Sequence, residues 1–272
     1  MRWNWKKILK YLRIAVFIYV VGGALLYLLQ DRILFHPVSL KKEHKYGFTQ
    51  PHKEIDIPIN EKSSMNIVQF TSTDTTTRGV VLYFHGNKKN ISWYANYAPY
   101  FTREGYEVWM IDYPGYGKST GKLSEQTLYQ WAEVLYRFAL SRFPDQQIIV
   151  YGKSMGTGIA AYLTSRNPCQ QLILETPYYD FPAVVKHYLP IYPVHSLLHY
   201  QIPTHEYLAR TKAPITILHG TKDRVVTYSN AVRLKEFLKP GDTLVTISGG
   251  RHNDLFQFET TVKVLGNALD KK

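Results

Sequence analysis

The chain has 272 residues, of which 45% are hydrophobic and 14% aromatic; this is enough for one large α/β domain and an additional segment, and it excludes wholesale disorder. The formal net charge is +12, but the basic residues are dispersed and no nucleic-acid recognition motif accompanies them, so we expect a basic surface near an anionic membrane and no nucleic-acid partner. The one cysteine, Cys169, cannot form an intrachain disulfide, and no Cys/His cluster has the spacing of a structural zinc site.

Residues 1–30 are predicted to be a membrane anchor. An uncharged apolar run, residues 14–29, follows a basic and aromatic flank. Extended back to Tyr11, with Arg13 reaching toward the head groups, it forms a helix of roughly 28 Å, which just spans a bilayer core. Two alternatives are a buried amphipathic helix and a secretory signal cleaved after Gly-Gly-Ala at residues 22–24. Cleavage there would leave an apolar new terminus, so we favour an uncleaved, single-pass anchor.

The distribution of basic residues predicts the orientation of this anchor. Five Lys and Arg residues precede the apolar run, whereas the basic residues that follow it are offset by Asp31 and Glu43. Because positively charged flanks stay in the cytoplasm, this bias favours a catalytic domain on the non-cytoplasmic side of the membrane.

Residues 31–50 are predicted to connect the anchor to a domain that occupies residues 51–272. Two alternating segments, 54–58 and 65–71, predict a hairpin, and beyond them strands alternate with helices. That alternation is typical of a mostly parallel, doubly wound α/β sheet. The predicted strands are 79–84, 106–111, 147–151, 172–175, 214–218 and 243–247, and the predicted helices are about 92–103, 124–143, 229–238 and 255–265.

The pentapeptide Gly-Lys-Ser-Met-Gly, residues 152–156, follows one of these strands. A serine on a strained turn between a strand and a helix presents its hydroxyl clear of the backbone. The two glycines let the strand and the helix approach closely around that turn. Taken alone, the same pattern also fits a strand-to-helix loop with a capping serine. Other motifs of the chain are needed to distinguish a nucleophilic serine from a capping one.

A serine nucleophile needs a histidine base, and the histidine needs an acid that orients it. In this architecture the acid and then the histidine follow the serine along the chain. Asp223 lies in the loop after a clear strand, and we favour it over Glu175 and Asp180 as the acid. His252 lies in a glycine-containing loop between the last strand and the last helix, where it can reach Ser154 as the base.

An oxyanion hole needs two N–H donors aimed at one point. Met155, directly after the serine, supplies one of them. The second is predicted to be the Asn87 N–H, in the loop after the strand at residues 79–84. His85 in that loop is expected to pack against and order the loop rather than act as a base.

Five motifs follow one another along the chain: Phe-His-Gly-Asn at 84–87, Asp-Tyr-Pro-Gly-Tyr-Gly-Lys-Ser at 112–119, Tyr-Gly-Lys-Ser-Met-Gly at 151–156, His-Gly-Thr-Lys-Asp-Arg-Val-Val at 219–226 and Gly-Arg-His-Asn at 250–253, with Arg-Ile-Leu-Phe-His-Pro at 32–37 as a further match. Together they resemble the α/β-hydrolase superfamily, in its serine-aminopeptidase-like class, and most closely the small membrane-anchored branch typified by the bud-emergence-type proteins. This resemblance implies a triad of Ser154, Asp223 and His252 and an oxyanion hole at Asn87 and Met155. One departure is Lys88-Lys89, where the family usually has smaller residues; these lysines either favour anionic substrates or are simply solvated.

A short lid, about residues 176–212, is predicted to cover the serine. It is aromatic and proline-rich, and Tyr178 and Tyr179 are candidates for an apolar substrate-binding rim, with ordinary packing of short helices as the alternative.

The leading hypothesis is a membrane-anchored serine hydrolase acting on a small-molecule or lipid acyl ester, thioester or amide, without a cofactor or metal. A carboxylesterase or lipid/acyl-protein hydrolase is favoured over an aminopeptidase-like serine peptidase. A non-catalytic binding protein on a hydrolase fold is the alternative from a different class, because a fold does not fix a function.

Overall fold

A computed structural model describes residues 5–74 and 76–270 of the chain. Its strands are β1 (His36–Pro37), β2 (His52–Asn60), β3 (Ser63–Phe70), β4 (Gly79–Phe84), β5 (Lys88–Lys89), β6 (Tyr106–Ile111), β7 (Ile148–Lys153), β8 (Gln171–Glu175), β9 (Ile215–Gly220) and β10 (Thr243–Ile247). Its helices are α1 (Trp5–Leu34), α2 (Ile91–Tyr94), α3 (Pro99–Thr102), α4 (Glu125–Leu140), α5 (Met155–Arg166), α6 (Phe181–Tyr188), α7 (Val194–Leu197), α8 (Thr204–Leu208), α9 (Tyr228–Leu234) and α10 (Glu259–Leu269).

The main sheet has eight strands in the order β10-β9-β8-β7-β4-β6-β3-β2 within the described residues. Strand β3 runs antiparallel to both of its neighbours, β2 and β6. The strands β4, β6, β7, β8, β9 and β10 run parallel to one another. Buried side chains cover both faces of the sheet, which explains the continuous apolar runs of the central strands. The predicted α/β fold is therefore confirmed, and the carboxyl ends of β4, β7, β9 and β10 meet at one edge.

The helix predicted at about residues 92–103 is broken into short pieces. Asn90 caps α2 by accepting a hydrogen bond from the Ser92 N–H, a single 3₁₀ turn follows at Ala95–Tyr97, and Pro99 begins α3. Proline has no N–H to donate to the preceding turn of a helix, so it is tolerated in the first turn but not in the interior. By contrast, the predicted helix at 124–143 forms as α4, which begins with a capping box between Ser124 and Thr127.

The N-terminal helix α1 is 30 residues long and apolar enough to cross a membrane. Most of its large apolar side chains are exposed. Its second half packs against the lid: the rings of Tyr19 and Tyr192 stack at 4.8 Å, and the buried Gln30 side chain accepts a hydrogen bond from the His199 N–H at 2.7 Å. Residues 1–4 of the predicted anchor lie outside the described residues.

The region predicted as a lid contains the three short helices α6, α7 and α8. Asp180 caps α6 by accepting from the Ala183 N–H at 2.6 Å. Residues 31–50, predicted as a plain connector, contain β1, which forms a small parallel pair with β5. Neither of these two short strands was expected from the sequence, since two-residue strands carry no alternating pattern.

Candidate active site

Ser154 lies on a sharp turn between β7 and α5. Its backbone angles are φ 52° and ψ −119°, a strained conformation for a residue with a side chain. The turn depends on its glycines, because a Cβ on Gly156 would lie 2.0 Å from the Phe84 carbonyl oxygen and one on Gly152 would lie 2.6 Å from the Gly156 carbonyl oxygen. The predicted strand–turn–helix context of the serine is therefore present in the structure.

Three side chains from different loops form a continuous hydrogen-bonded chain. The Ser154 Oγ lies 2.9 Å from Nε2 of His252, and Nδ1 of His252 lies 2.7 Å from Oδ2 of Asp223. An ionised carboxylate can only accept, so the His252 Nδ1 carries the proton and its Nε2 is free to accept from the serine hydroxyl. This arrangement can remove the serine proton as the oxygen attacks an electrophile.

The environment of Asp223 keeps its carboxylate ionised. Burial alone would raise its pKa, but the hydrogen bond and charge of His252, together with the N–H groups of Val225 and Val226, outweigh burial and lower the pKa below its ordinary value of 3.8. Those two N–H groups donate to Oδ1 at 2.8 and 2.9 Å, which leaves Oδ2 facing His252. The carboxylate is thus both charged and fixed in orientation.

A second histidine, which the sequence analysis did not single out, lies behind Asp223. His219 is fully buried, and its Nε2–H donates to the Val226 carbonyl oxygen at 2.9 Å while lying 3.5 Å from Asp223 Oδ2. Burial lowers the pKa of His219, because removal from water disfavours the charged imidazolium. The sequence could have indicated His219 by its position at the end of β9, four residues before Asp223.

The predicted oxyanion donors lie next to the serine. Met155 is the first residue of α5, where a main-chain N–H has no partner within the helix. Asn87 lines the same cavity of about 250 Å³ as Ser154 and His252. A Cβ on Gly86 would lie 3.5 Å from the Ser154 Cβ, so the loop that carries Asn87 passes directly beside the nucleophile.

His85 orders this loop from within the core, as expected. The side chain is fully buried, its Nδ1–H donates to the Gly86 carbonyl oxygen at 2.7 Å, and its ring stacks on Tyr94. Tyr113 donates to the His85 carbonyl oxygen at 2.8 Å. These contacts fix the loop and leave His85 without access to the cavity.

The two tyrosines proposed for a substrate rim lie elsewhere. Tyr178 is 1% exposed and its hydroxyl donates to the Met155 carbonyl oxygen at 3.1 Å, so it supports α5 from the core. Tyr179 stacks on His205 at 4.0 Å, with Arg233 over its ring. Neither is among the residues that line the cavity at Ser154, where Trp93 and Tyr94 supply the aromatic surface instead.

Lys153 and Glu175 form a buried ion pair at the carboxyl ends of β7 and β8. Their side chains are 1% and 0% exposed, and Tyr151 donates a further hydrogen bond to the Glu175 carboxylate. This pairing occupies Glu175, one of the two competing acids, and Asp180 is occupied as the cap of α6. Neither is placed to orient His252.

The chain matches known proteins along most of its length. A protein-family model described as "Serine aminopeptidase, S33" matches residues 75–199. Alpha/beta hydrolase domain-containing protein 17C of Xenopus tropicalis is 29% identical over 203 residues, which cover 72% of this chain and 63% of that protein. The protein of the same name from Mus musculus is 27% identical over 197 residues, covering 68% and 58%. The chain is therefore similar to α/β hydrolases in sequence and has their fold.

The chain spans less than two thirds of the length of those relatives. An esterase of Pyrococcus furiosus has a similar structure, with a TM-score of 0.68 at 17% identity, covering 86% of this chain and 96% of that one. A soluble variant of monoglyceride lipase from Saccharomyces cerevisiae gives 0.63 at 16% identity, covering 85% and 98%. These two similarities concern the fold. None of these matches distinguishes the bud-emergence-type branch, so that finer resemblance stays a prediction.

Proposed function

We propose that the protein is a membrane-anchored serine hydrolase that cleaves an acyl ester, thioester or amide through an acyl-enzyme on Ser154. The observation that carries this proposal is the chain of hydrogen bonds from Ser154 through His252 to Asp223, with both bonds shorter than 3.0 Å. The esterase and the monoglyceride lipase that share the fold support an acyl substrate, either a small molecule or a lipid.

The chemistry follows from the positions of these groups. His252 takes the hydroxyl proton of Ser154 as Oγ attacks the acyl carbonyl, and the negative oxygen of the tetrahedral intermediate accepts from the Met155 and Asn87 N–H groups. His252 then gives the proton to the leaving group, and an acyl-serine remains. A water molecule, deprotonated by the same histidine, attacks the acyl-serine and releases the acid.

The cavity favours an acyl ester over an aminoacyl amide. An aminopeptidase must bind the α-ammonium group of its substrate, and a carboxylate is the natural partner for it. Among the described residues that line the cavity at Ser154 there is no carboxylate, whereas Lys88 and Lys89 both line it. A carboxylesterase or lipid/acyl-protein hydrolase therefore fits this electrostatic environment better.

The aminopeptidase-like alternative is kept because the matched family model carries that description. A non-catalytic binding protein is the second alternative. One panel separates all three: p-nitrophenyl esters of increasing acyl length, an acyl thioester and aminoacyl p-nitroanilides, each with wild type and Ser154→Ala. Ester turnover that Ser154→Ala lowers about 10⁴- to 10⁶-fold supports the proposal. Turnover of the anilides alone supports the peptidase, and turnover of neither supports the binding protein.

The proposed domain organisation is an anchor at residues 1–30, a connector at 31–50 and a hydrolase domain at 51–272, with the domain on the non-cytoplasmic side. The exposed apolar surface of α1 supports the anchor. Retention in the membrane pellet after alkaline carbonate extraction, with an intact N-terminal peptide by mass spectrometry, tests an uncleaved anchor against a secretory signal. Protease protection of the hydrolase domain in sealed vesicles of known orientation tests the side of the membrane.

A further inference from the structure

The segment that leaves α1 is in direct contact with the loop that carries the predicted oxyanion donor. Strand β1 pairs with β5 in parallel, with His36 beside Lys88 and Pro37 beside Lys89. The Val38 N–H then donates to the Lys89 carbonyl oxygen at 3.3 Å. The backbone directly after the membrane helix therefore runs alongside the backbone directly after Asn87.

Two asparagine side chains join this loop to the same segment. The Asn87 amide donates to the carbonyl oxygen of Leu34, the last residue of α1. The Asn90 amide donates to the Val38 carbonyl oxygen at 2.8 Å. The main-chain carbonyls at the two ends of the segment, residues 34 and 38, each accept one bond from the loop.

The loop between these two asparagines has a conformation that needs such support. Lys89 has φ 68°, in the left-handed region that residues other than glycine rarely adopt. A residue held in such a region is strained and persists only where its surroundings determine the backbone. On its inner side the loop is held by Tyr116, which donates to the Asn87 carbonyl oxygen at 2.8 Å. Residues 34–38 add backbone contacts to the same loop and accept the bonds from the Asn87 and Asn90 side chains.

We propose that residues 34–38 hold the Asn87 N–H in the oxyanion hole, with the side chains of Asn87 and Asn90 as positioning residues. The C-terminal end of α1 then supports the active site in addition to attaching the hydrolase domain to the membrane. Its effect on catalysis rests on the proposed hydrolase function. An oxyanion donor must lie at about 2.7–3.1 Å from the developing charge, and a displacement of 1 Å costs up to about 10²-fold in rate.

The test uses the full-length protein in detergent and neutral substitutions that leave the main-chain N–H groups in place. Asn87→Ala removes the bond to Leu34 together with the Oδ1 atom that accepts from the Tyr116 hydroxyl at 3.0 Å, whereas the bond from Tyr116 to the Asn87 main-chain carbonyl oxygen can remain. Asn90→Ser removes the bond to Val38 but keeps an oxygen that can cap α2. The matched control is Asn96→Ala, because the exposed Asn96 amide also donates to a main-chain carbonyl, that of Trp93, outside this loop.

For acyl-ester hydrolysis we expect kcat to fall about 10- to 100-fold in Asn87→Ala and Asn90→Ser, with KM within about twofold and the thermal midpoint close to that of wild type. Asn96→Ala should match wild type. A kcat within twofold of wild type in both loop variants would overturn the proposal. So would a loss of kcat that is accompanied by an equal rise in KM and by loss of the folded state.

Hydrogen exchange of the amides in residues 85–90 gives a second readout that needs no activity. Asn87→Ala and Asn90→Ser should exchange faster than wild type in this loop, and Asn96→Ala should not. Unchanged exchange in both loop variants would also overturn the proposal. If the wild type hydrolyses no substrate, the proposed function fails, and the exchange data alone then decide whether residues 34–38 order the loop.

Discussion

The Nζ atom of Lys153 lies 3.3 Å from the main-chain carbonyl oxygen of His252. Lys153 directly precedes the nucleophile, so one ammonium group joins the serine turn to the loop of the histidine. The same ammonium pairs with the Glu175 carboxylate at the end of β8. A buried cation therefore ties three loops at the edge of the sheet where the candidate active site lies.

Replacing Lys153 by Met should destabilise the fold strongly. The substitution removes the cation and leaves the Glu175 carboxylate buried without its partner, which costs about 3–5 kcal/mol in the free energy of unfolding. Urea unfolding measures this change. The double variant Lys153→Met/Glu175→Gln removes both charges and should recover most of the loss. If the double variant is as unstable as the single one, the ion pair does not explain the effect.

Asp223→Asn should lower kcat by about 10⁴-fold while the protein stays folded. An amide can donate to the His252 Nδ1 and so stabilises the tautomer whose Nε2 carries the proton and cannot accept from Ser154. Steady-state hydrolysis of an acyl ester measures the loss. A fall of less than tenfold would mean that Asp223 does not orient His252.

The depressed pKa of Asp223 also predicts a pH dependence of stability. The folded state binds the proton on this carboxyl less tightly than the unfolded state, whose value is near 3.8. Its contribution to stability is therefore complete above that value and is lost as the pH falls through the lower folded pKa. The difference in unfolding free energy between wild type and Asp223→Asn should be constant near pH 5–6 and shrink below about pH 4. A difference that grows on acidification would contradict this.

Substitution of glycine by alanine should have opposite effects on stability at Gly156 and at Gly266. Gly156→Ala places a methyl group 2.0 Å from the Phe84 carbonyl oxygen, so the backbone of the serine turn must move, and we expect loss of folded protein or of activity. Gly266 lies in α10 with nothing within 4 Å of the position of a Cβ, so Gly266→Ala should stabilise the protein by about 0.5–1 kcal/mol. Thermal unfolding compares the two. Equal effects would show that the close approach at Gly156 is unimportant.

The order of motifs along the chain was enough to predict which side chains meet around Ser154. Ser154, Asp223 and His252 each follow a parallel strand, and the carboxyl ends of parallel strands share one edge. By contrast, the contact of Asn87 with Leu34 joins residues far apart in sequence through one side chain, and no local pattern marks it. The aromatic composition of the lid suggested a substrate rim, but composition does not give the direction of a side chain, and Tyr178 points into the core.

In the proposed function, Ser154 is an activated nucleophile. Full-length wild type and Ser154→Ala should be treated with a fluorophosphonate probe and the adduct located by peptide mass spectrometry. An activated Ser154 forms one covalent adduct, which neither Ser154→Ala nor denatured wild type forms. Folded wild type that remains unlabelled, or labelling of another residue to the same extent in both proteins, would rule out an activated Ser154.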